Sequence, residues 1–390
     1  MFASLALLLL GGLALGYICK KIGLPALTGM IAAGLIFGYF GWLDPALMDI
    51  SADLRKIALL IIISRAGFNL NLDQLKKAGL PALLMTFVPA TFEIIGTMIF
   101  APMILGLPLA QAALLGTVIG AVSPAIIVPR MIDLIQKGYG QKKAIPQMIL
   151  AGASLDDIYV IVLFSIFLSM SLSGDFNAST LLDIPISIGL GLIVGILGGI
   201  GLGWFYSKVK VRPIIQTIQF YAIAFALTAL ETILEPYVSF SSLLAVMCLA
   251  IFLGRISPES AKEIGTRSDG LWSCAEIFLF VLVGAEVNIM DAFQSGLQGA
   301  LLLGLALMVR MVGVLVALLP SNFSWKEKVF CMIAYTPKAT VQAALGAVPL
   351  AAGVSGGQII LTVAVLSILL CAPLGGWAID ATYKKLLLKD

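Results

Sequence analysis

Apolar residues occur along the chain in thirteen runs, separated by short segments that carry most of its charged residues. A helix needs about 20 predominantly apolar residues to cross the hydrocarbon core of a bilayer. Each run is therefore predicted to form a transmembrane helix. The predicted spans lie near residues 3–19, 24–40, 56–71, 79–103, 108–129, 145–172, 182–206, 213–234, 239–254, 270–287, 297–319, 326–350 and 357–383.

Composition supports this prediction and excludes several kinds of site. Hydrophobic residues make up 60% of the 390 residues and charged residues 12%, whereas soluble domains have about 45–50% and about 25%. The chain has no histidine, and its five cysteines lie singly in apolar stretches. Histidine-based metal sites, zinc-binding cysteine pairs and imidazole switches are therefore excluded. We expect an all-α polytopic membrane protein without a cofactor and without a nucleic-acid partner.

Positive charge concentrates in alternate loops between the predicted spans. The odd-numbered loops and the C-terminal tail hold 19 lysines and arginines, whereas the even-numbered loops hold two, Arg55 and Lys56. Cytoplasmic loops of membrane proteins carry such an excess of Lys and Arg. The predicted topology places the N-terminus outside and the C-terminus in the cytoplasm, and the predicted location is the plasma membrane.

Two pairs of similar segments indicate an internal repeat. Residues 67–80 resemble residues 284–297 at an offset of 217, with Gly, Asn, Gly and Leu in register. Ser123-Pro124 matches Thr336-Pro337 at an offset of 213. The first pair of segments falls in loops on opposite sides of the membrane, so the repeats are inverted. Spans 1–6 and 8–13 are predicted to form two inverted six-helix repeats, as in secondary transporters.

The matched Ser-Pro and Thr-Pro segments predict two broken helices. A proline inside a helix removes one backbone hydrogen bond, and the freed groups are tolerated in a membrane only where they line a cavity or are buried in protein. One such proline alone is typical of a simple kink. Two at equivalent places favour a pair of crossed, unwound helices around a midplane cavity, lined by Ser123, Pro124, Thr336, Pro337 and Thr340.

Adjacent carboxylates inside span 6 are the candidate ion- and proton-binding groups. Asp156 and Asp157 follow Ser154 in this span, and neighbouring helical residues point about 100° apart. One carboxylate can therefore face a fixed cation while the other faces water, although a pair that only joins helices is the alternative. Lys338, beside the break in span 12, is the predicted cation partner of one of the two aspartates. A carboxylate, a serine and unwound carbonyls could together hold a hard monovalent ion.

A second charged pair is predicted from the repeat. Glu93 in span 4 and Arg310 in span 11 are separated by 217 positions, the same offset as the first pair of segments. They occupy equivalent places in the two repeats, and an unpaired charge at midplane would be costly. We expect a salt bridge between them inside the protein.

Three of these segments resemble the monovalent cation:proton antiporter superfamily. They are the Leu-Asp-Asp-Ile segment at 155–158, the Ser-Pro-Ala-Ile-Ile-Val-Pro break at 123–129 and the Tyr-Thr-Pro-Lys-Ala-Thr-Val-Gln-Ala segment at 335–343. The likeness is greatest to the paired-aspartate sodium/proton antiporter branch, NapA-like and nearer still to the NHA proteins, and it extends over almost the whole chain. It implies an NhaA/NapA-like fold with thirteen helices.

The resemblance also implies a role for each charged residue. Asp157 would bind Na⁺ or Li⁺ in competition with H⁺, and Asp156 would pair with Lys338. The predicted function is exchange of Na⁺ or Li⁺ for H⁺ across the membrane by alternating access. The Glu93–Arg310 pair also resembles the NHA branch.

Domain organisation and assembly follow from the same resemblance. Residues 79–173 and 296–385 would form the ion-transport core, residues 1–72 and 213–289 a dimerisation scaffold, and residues 181–207 a connecting helix. The expected assembly is a homodimer in the lipid bilayer. The connecting helix has a stripe of small residues that packs either within the subunit or between subunits, formed by Gly191, Gly195, Gly199 and Gly203.

Other functions fit the sequence less well. A sodium-coupled symporter of a small organic anion would share the inverted repeats, but it would not need a lysine opposite the carboxylates. An intramembrane aspartyl protease needs its two aspartates on separate helices so that they share a water, which neighbouring residues cannot do. The chain is therefore not expected to be an enzyme.

Overall fold

The computed structural model describes residues 1–69, 72–173, 178–234, 237–238 and 240–389, without the side chains of 69, 72–78, 154, 173, 178–185 and 289–295. This part of the chain is helical, and one isolated bridge joins Tyr139 to Lys389. The helices are α1 (Phe2–Lys21), α2 (Ala26–Tyr39), α3 (Pro45–Asp49), α4 (Ser51–Asn69), α5 (Leu72–Leu105), α6 (Leu109–Gly120), α7 (Pro124–Lys137), α8 (Ile145–Ser173), α9 (Ala178–Lys208), α10 (Pro213–Leu234), α11 (Ser242–Ile256), α12 (Pro258–Glu286), α13 (Ile289–Ala317), α14 (Trp325–Ala334), α15 (Thr340–Gly346), α16 (Val348–Ala351) and α17 (Gly357–Leu386).

The predicted spans coincide with these helices, and two of them are interrupted. The run at 108–129 is divided between α6 and α7, and the run at 326–350 between α14, α15 and α16. Within the described residues, nine helical spans are long and apolar enough to cross a membrane, counting α6 and α7 as one. The count of thirteen transmembrane helices stays a prediction. Part of the repeat segment at 67–80 lies outside the described residues.

The chain forms two compact units. The first contains Met1–Arg55, Asn71–Leu172 and Ile277–Asp390, and the second contains Lys56–Leu70 and Ser173–Glu276. The predicted transport core, 79–173 and 296–385, falls almost entirely in the first unit. The division into a core and a dimerisation scaffold stays a prediction.

In the first unit, α5 and α13 pack closely through two glycines. A Cβ atom on Gly96 would lie 3.0 Å from the Cβ of Val309, and one on Gly313 would lie 2.8 Å from the Cβ of Phe92. Each residue of one contact is 217 positions from its counterpart in the other. The two contacts are therefore reciprocal, as expected for repeats that are related by a pseudo-two-fold axis.

The glycine stripe of α9 decides the packing of the second unit. Cβ atoms on Gly195 and Gly199 would collide with backbone atoms of α11, one on Gly191 with the carbonyl oxygen of Ser241, the N-cap of α11, and one on Gly203 would lie 2.7 Å from Ile256. Small residues allow two helix backbones to approach this closely. The stripe therefore packs within the subunit, which was one of the two alternatives.

Candidate ion-binding site

Both predicted helix breaks are present in the first unit. α6 ends at Gly120 and α7 begins at Pro124, with Ser123 in an extended conformation between them (φ −96°, ψ 107°). α14 ends at Ala334 and α15 begins at Thr340. Pro124 occupies the first position of α7, where its missing N–H leaves no helical bond unmade. The prolines therefore start or separate helical segments rather than simply bending a continuous helix.

The two breaks contact one another through the backbone. The Ser123 N–H donates to the Pro337 carbonyl oxygen at 2.9 Å. The Gln342 side-chain amide donates to the Ala121 carbonyl oxygen at 2.8 Å. The structure thus brings together the residues of both breaks, as expected for crossed helices.

Two cations lie at the C-terminal end of α6. The Lys338 ammonium donates to the Ile119 carbonyl oxygen, and the Arg310 guanidinium donates to the Gly120 carbonyl oxygen. The last carbonyls of a helix have no partner within the helix and carry its partial negative charge. Lys338 and Arg310 thus satisfy these carbonyls and compensate that charge.

Arg310 and Lys338 share Glu93 as their carboxylate partner. Arg310 Nη1 lies 2.5 Å from Glu93 Oε2, and Lys338 Nζ donates to the same oxygen at 2.8 Å. The side chains of Glu93 and Lys338 are 0% exposed and that of Arg310 is 1% exposed. The structure therefore brings together the Glu93–Arg310 pair that the repeat offset predicted.

The partner of Asp156 differs from the prediction. Asp156 Oδ2 lies 3.4 Å from Arg310 Nη2 and accepts from the Val122 N–H at 2.7 Å, whereas Lys338 pairs with Glu93. The predicted ion pair between Asp156 and Lys338 is therefore corrected. The reason is geometric, because Lys338 leaves a non-helical segment in a direction that takes its ammonium to Glu93 and α6.

Asp157 has no ion pair within the described residues. Its side chain is 8% exposed, and its Oδ1 atom is buried without a hydrogen-bond partner. The same holds for Asp156 Oδ1 and Ser123 Oγ. Buried polar atoms nearly always have a partner, so these three oxygens are available to a water, a proton or a cation.

The remaining predicted residues have simpler surroundings. The Thr336 hydroxyl donates to the Ile333 carbonyl at 2.8 Å, and Thr340 begins α15 and is buried. The side chain of Ser154 lies outside the described part of the structure. Within that part, no three His, Cys, Asp or Glu side chains form a group that could hold a metal.

Sequence reasoning missed two residues of the site. Gln342 braces the two breaks, and Tyr335 accepts from Arg310 Nε through its carbonyl oxygen at 2.9 Å. Gln342 is a polar residue in an apolar run, one turn after Lys338, and this position could have indicated its role. No comparable signal marked the Tyr335 carbonyl, because any residue has one.

Sequence comparison assigns this chain to a known family. The family model described as "Sodium/hydrogen exchanger, transmembrane" matches residues 5–385. The chain belongs to the sodium/hydrogen exchanger family. It is 33% identical to sodium/hydrogen exchanger 9B2 of Mus musculus, over 94% of this chain and 69% of that protein. It is 34% identical to the Xenopus tropicalis protein of the same name, over 100% of this chain and 75% of that protein.

Structural comparison supports the fold. The sodium proton antiporter MjNhaP1 of Methanocaldococcus jannaschii, solved at pH 8, matches with a TM-score of 0.82. The match covers 99% of this chain and 98% of that one, at 23% sequence identity. This match confirms the predicted all-helical antiporter fold, without the count of thirteen helices. Together with the family model and the sequence relatives, it confirms the resemblance to the monovalent cation:proton antiporter superfamily.

Proposed function

We propose that this protein exchanges Na⁺ or Li⁺ for H⁺ across a membrane by alternating access, with the cation and the proton competing for Asp157. The observation that carries the proposal is that Asp157 is a buried carboxylate without an ion pair among the residues that the structure describes, beside a network in which the other charges are paired. Membership of the sodium/hydrogen exchanger family supports the same reaction.

Charge balance explains why the two ions would compete. The site contains the carboxylates of Glu93, Asp156 and Asp157, and the cations of Arg310 and Lys338. When all five are ionised, one negative charge is in excess, and an uncompensated buried charge is costly. Either one proton or one monovalent cation restores neutrality at Asp157. Because either ion alone restores neutrality at Asp157, binding of the proton releases the cation and binding of the cation releases the proton.

The unpaired oxygens supply ligands for the cation. Hard cations are bound by oxygen atoms, and Asp156 Oδ1, Asp157 Oδ1 and Ser123 Oγ have no hydrogen-bond partner in the described part of the chain. Asp156 is held by Arg310 and by the Val122 N–H, which fixes its position beside Asp157. We assign Asp157 the exchangeable site and Asp156 a supporting role.

The remaining features of the proposal concern the whole protein. It works as a homodimer in the plasma membrane, with the N-terminus outside and the C-terminus in the cytoplasm. Family resemblance supports the dimer, and the loop charges support the orientation. Light scattering of the purified protein in detergent should give the mass of two chains.

The first prediction tests the exchangeable site. Asp157→Asn should abolish sodium-driven proton flux in proteoliposomes, because the amide neither titrates nor carries charge. The protein should still fold, since a buried amide costs less than a buried carboxylate. The measurement is the quenching of a pH-sensitive dye after a Na⁺ pulse, with no organic solute present.

Glu263→Gln is the matched control for this experiment. Glu263 is an exposed carboxylate that pairs with Arg267 one turn along α12, so its replacement should leave the flux unchanged. Substantial flux in Asp157→Asn would contradict the assignment. A requirement for an organic anion in the unaltered protein would favour the symporter instead.

A further inference from the structure

Gln342 is a fully buried residue whose side chain connects three parts of the site. It is 0% exposed. Its amide group donates to the Ala121 carbonyl oxygen at 2.8 Å and lies 3.5 Å from the Ile119 carbonyl oxygen. Its own oxygen accepts from the Ala339 N–H at 2.7 Å. A buried glutamine with both ends bonded is a rigid connection between the two broken helices.

The connection restrains the unwound segment between α6 and α7. Three consecutive residues of this segment are held from outside it: the Ala121 carbonyl by Gln342, the Val122 N–H by Asp156 and the Ser123 N–H by the Pro337 carbonyl. The segment therefore has little freedom to turn its Ala121 carbonyl or to move the Ser123 backbone, from which the hydroxyl extends.

The restraint also separates two classes of oxygen. The carbonyls of Ile119, Gly120 and Ala121 all accept hydrogen bonds, from Lys338, Arg310 and Gln342. Within the described residues, the side-chain oxygens of the site that are buried without a hydrogen-bond partner include Ser123 Oγ, Asp156 Oδ1, Asp157 Oδ1 and the Tyr335 hydroxyl. The number and kind of oxygens around a monovalent ion influence which ion is preferred.

We propose that Gln342 is a positioning residue that determines cation specificity, by engaging the Ala121 and Ile119 carbonyls and holding the Ser123 hydroxyl in place. This inference rests on the proposed function and extends it to the choice among ions. Without Gln342, the Ala121 carbonyl loses its donor and is free to turn, and the segment is held only by the bonds at Val122 and Ser123. A small ion such as Li⁺ or Na⁺ then loses closely placed ligands, whereas K⁺ tolerates longer distances and an additional carbonyl.

The test compares two buried glutamines. Gln342 contacts α6 through the Ile119 carbonyl, and Gln111 belongs to α6. Gln342→Met keeps an unbranched side chain of similar size but removes its hydrogen bonds. Gln111→Met is the matched control, because Gln111 is a buried residue of α6 that donates to the Ser355 hydroxyl at 2.8 Å, without a bond to either break. Proton flux driven by Li⁺, Na⁺ and K⁺ is measured in proteoliposomes over a range of cation concentrations.

Gln342→Met should raise KM for Na⁺ by about tenfold, corresponding to the loss of one or two hydrogen bonds that position ligands. The KM for Li⁺ should rise at least as much, the preference over K⁺ should fall, and kcat should stay within about twofold. Gln111→Met should change thermal stability but neither KM nor the order of preference. Gln342→Leu also removes the amide donor and acceptor and adds no charge, so it should show the same change and replaces the methionine variant if that one does not fold.

The outcomes distinguish this inference from the proposed function. Unchanged KM and unchanged cation preference in folded Gln342 variants would overturn the inference alone. The same change of preference in Gln111→Met would also overturn it. Absence of cation-driven proton flux in the unaltered protein would overturn the proposed function, and the inference with it.

Discussion

Four of the five buried charged groups of the site, Glu93, Asp156, Arg310 and Lys338, each have more than one partner. Arg310 contacts Glu93, Asp156 and two backbone carbonyls, and Glu93 also contacts Lys338. Breaking a buried pair by removing one member leaves a charge without compensation, which typically costs about 3–5 kcal/mol. A network of this kind compensates the charges of Arg310 and Lys338, as the proposed role of Asp157 as the exchanging group requires.

The coupling between Glu93 and Arg310 can be measured with a double-mutant cycle. Glu93→Ala and Arg310→Ala should each lower the unfolding midpoint in detergent, because each leaves a partner uncompensated. The double variant should lose less stability than the sum of the two, by about 1–3 kcal/mol. If the two effects simply add, the residues are not energetic partners and the assigned salt bridge contributes nothing measurable.

At the scale of helices, glycine placement decides which surfaces meet. Gly96 and Gly313 allow the reciprocal contact between α5 and α13, and Gly191, Gly195 and Gly199 allow the contact between α9 and α11. Without a hydrophobic driving force between helices in lipid, close packing of this kind is a main source of association. The two contacts therefore position helices in each unit separately.

Two glycines of α9 give a matched test of the α9–α11 contact. Gly195→Ala should destabilise the protein by about 1–3 kcal/mol, because the new methyl group would overlap the Ala245 backbone and lie 2.7 Å from the Cβ of Cys248. Gly201→Ala should be neutral or stabilising by up to about 1 kcal/mol, because nothing lies within 4 Å of its added Cβ.

Thermal unfolding in detergent, followed by tryptophan fluorescence, measures both changes. Equal effects of Gly195→Ala and Gly201→Ala would mean that the close approach of α9 to α11 does not limit stability.

At the scale of the whole molecule, the distribution of charge predicts the orientation of the chain in the membrane. The odd-numbered loops and the C-terminal tail carry 19 of the cationic residues, against two in the even-numbered loops. This asymmetry predicts orientation independently of packing, because it acts during membrane insertion. It also requires that the predicted spans be counted correctly, since one error would reverse every later loop.

Cysteine labelling tests this orientation. With the five native cysteines replaced by alanine, Asp53→Cys should react with an impermeant maleimide added to intact cells. Lys262→Cys should react only in inside-out vesicles. Both side chains are exposed, so access to the reagent depends on the side of the membrane. Labelling of Lys262→Cys in intact cells would contradict the predicted topology.

The sequence by itself determined the features that depend on local pattern. Runs of apolar residues specify helices because lipid leaves no other partner for backbone groups. Matched polar-proline segments predicted both helix breaks, and the constant offset of 217 positions predicted the pairing of Glu93 with Arg310. These features follow from hydropathy, proline geometry and the internal repeat, each of which can be recognised in the linear sequence.

Which carboxylate pairs with Lys338 is determined by the tertiary structure and could not be read from the sequence. Lys338 pairs with Glu93 instead of Asp156 because it leaves the non-helical segment between Ala334 and Thr340, where no helical period fixes the direction of a side chain. The hydrogen bond that Gln342 accepts from the Ala339 N–H depends on the same segment. Backbone dihedrals of an unwound chain are set by what packs around it, so contacts made there appear only once the surrounding helices are in place.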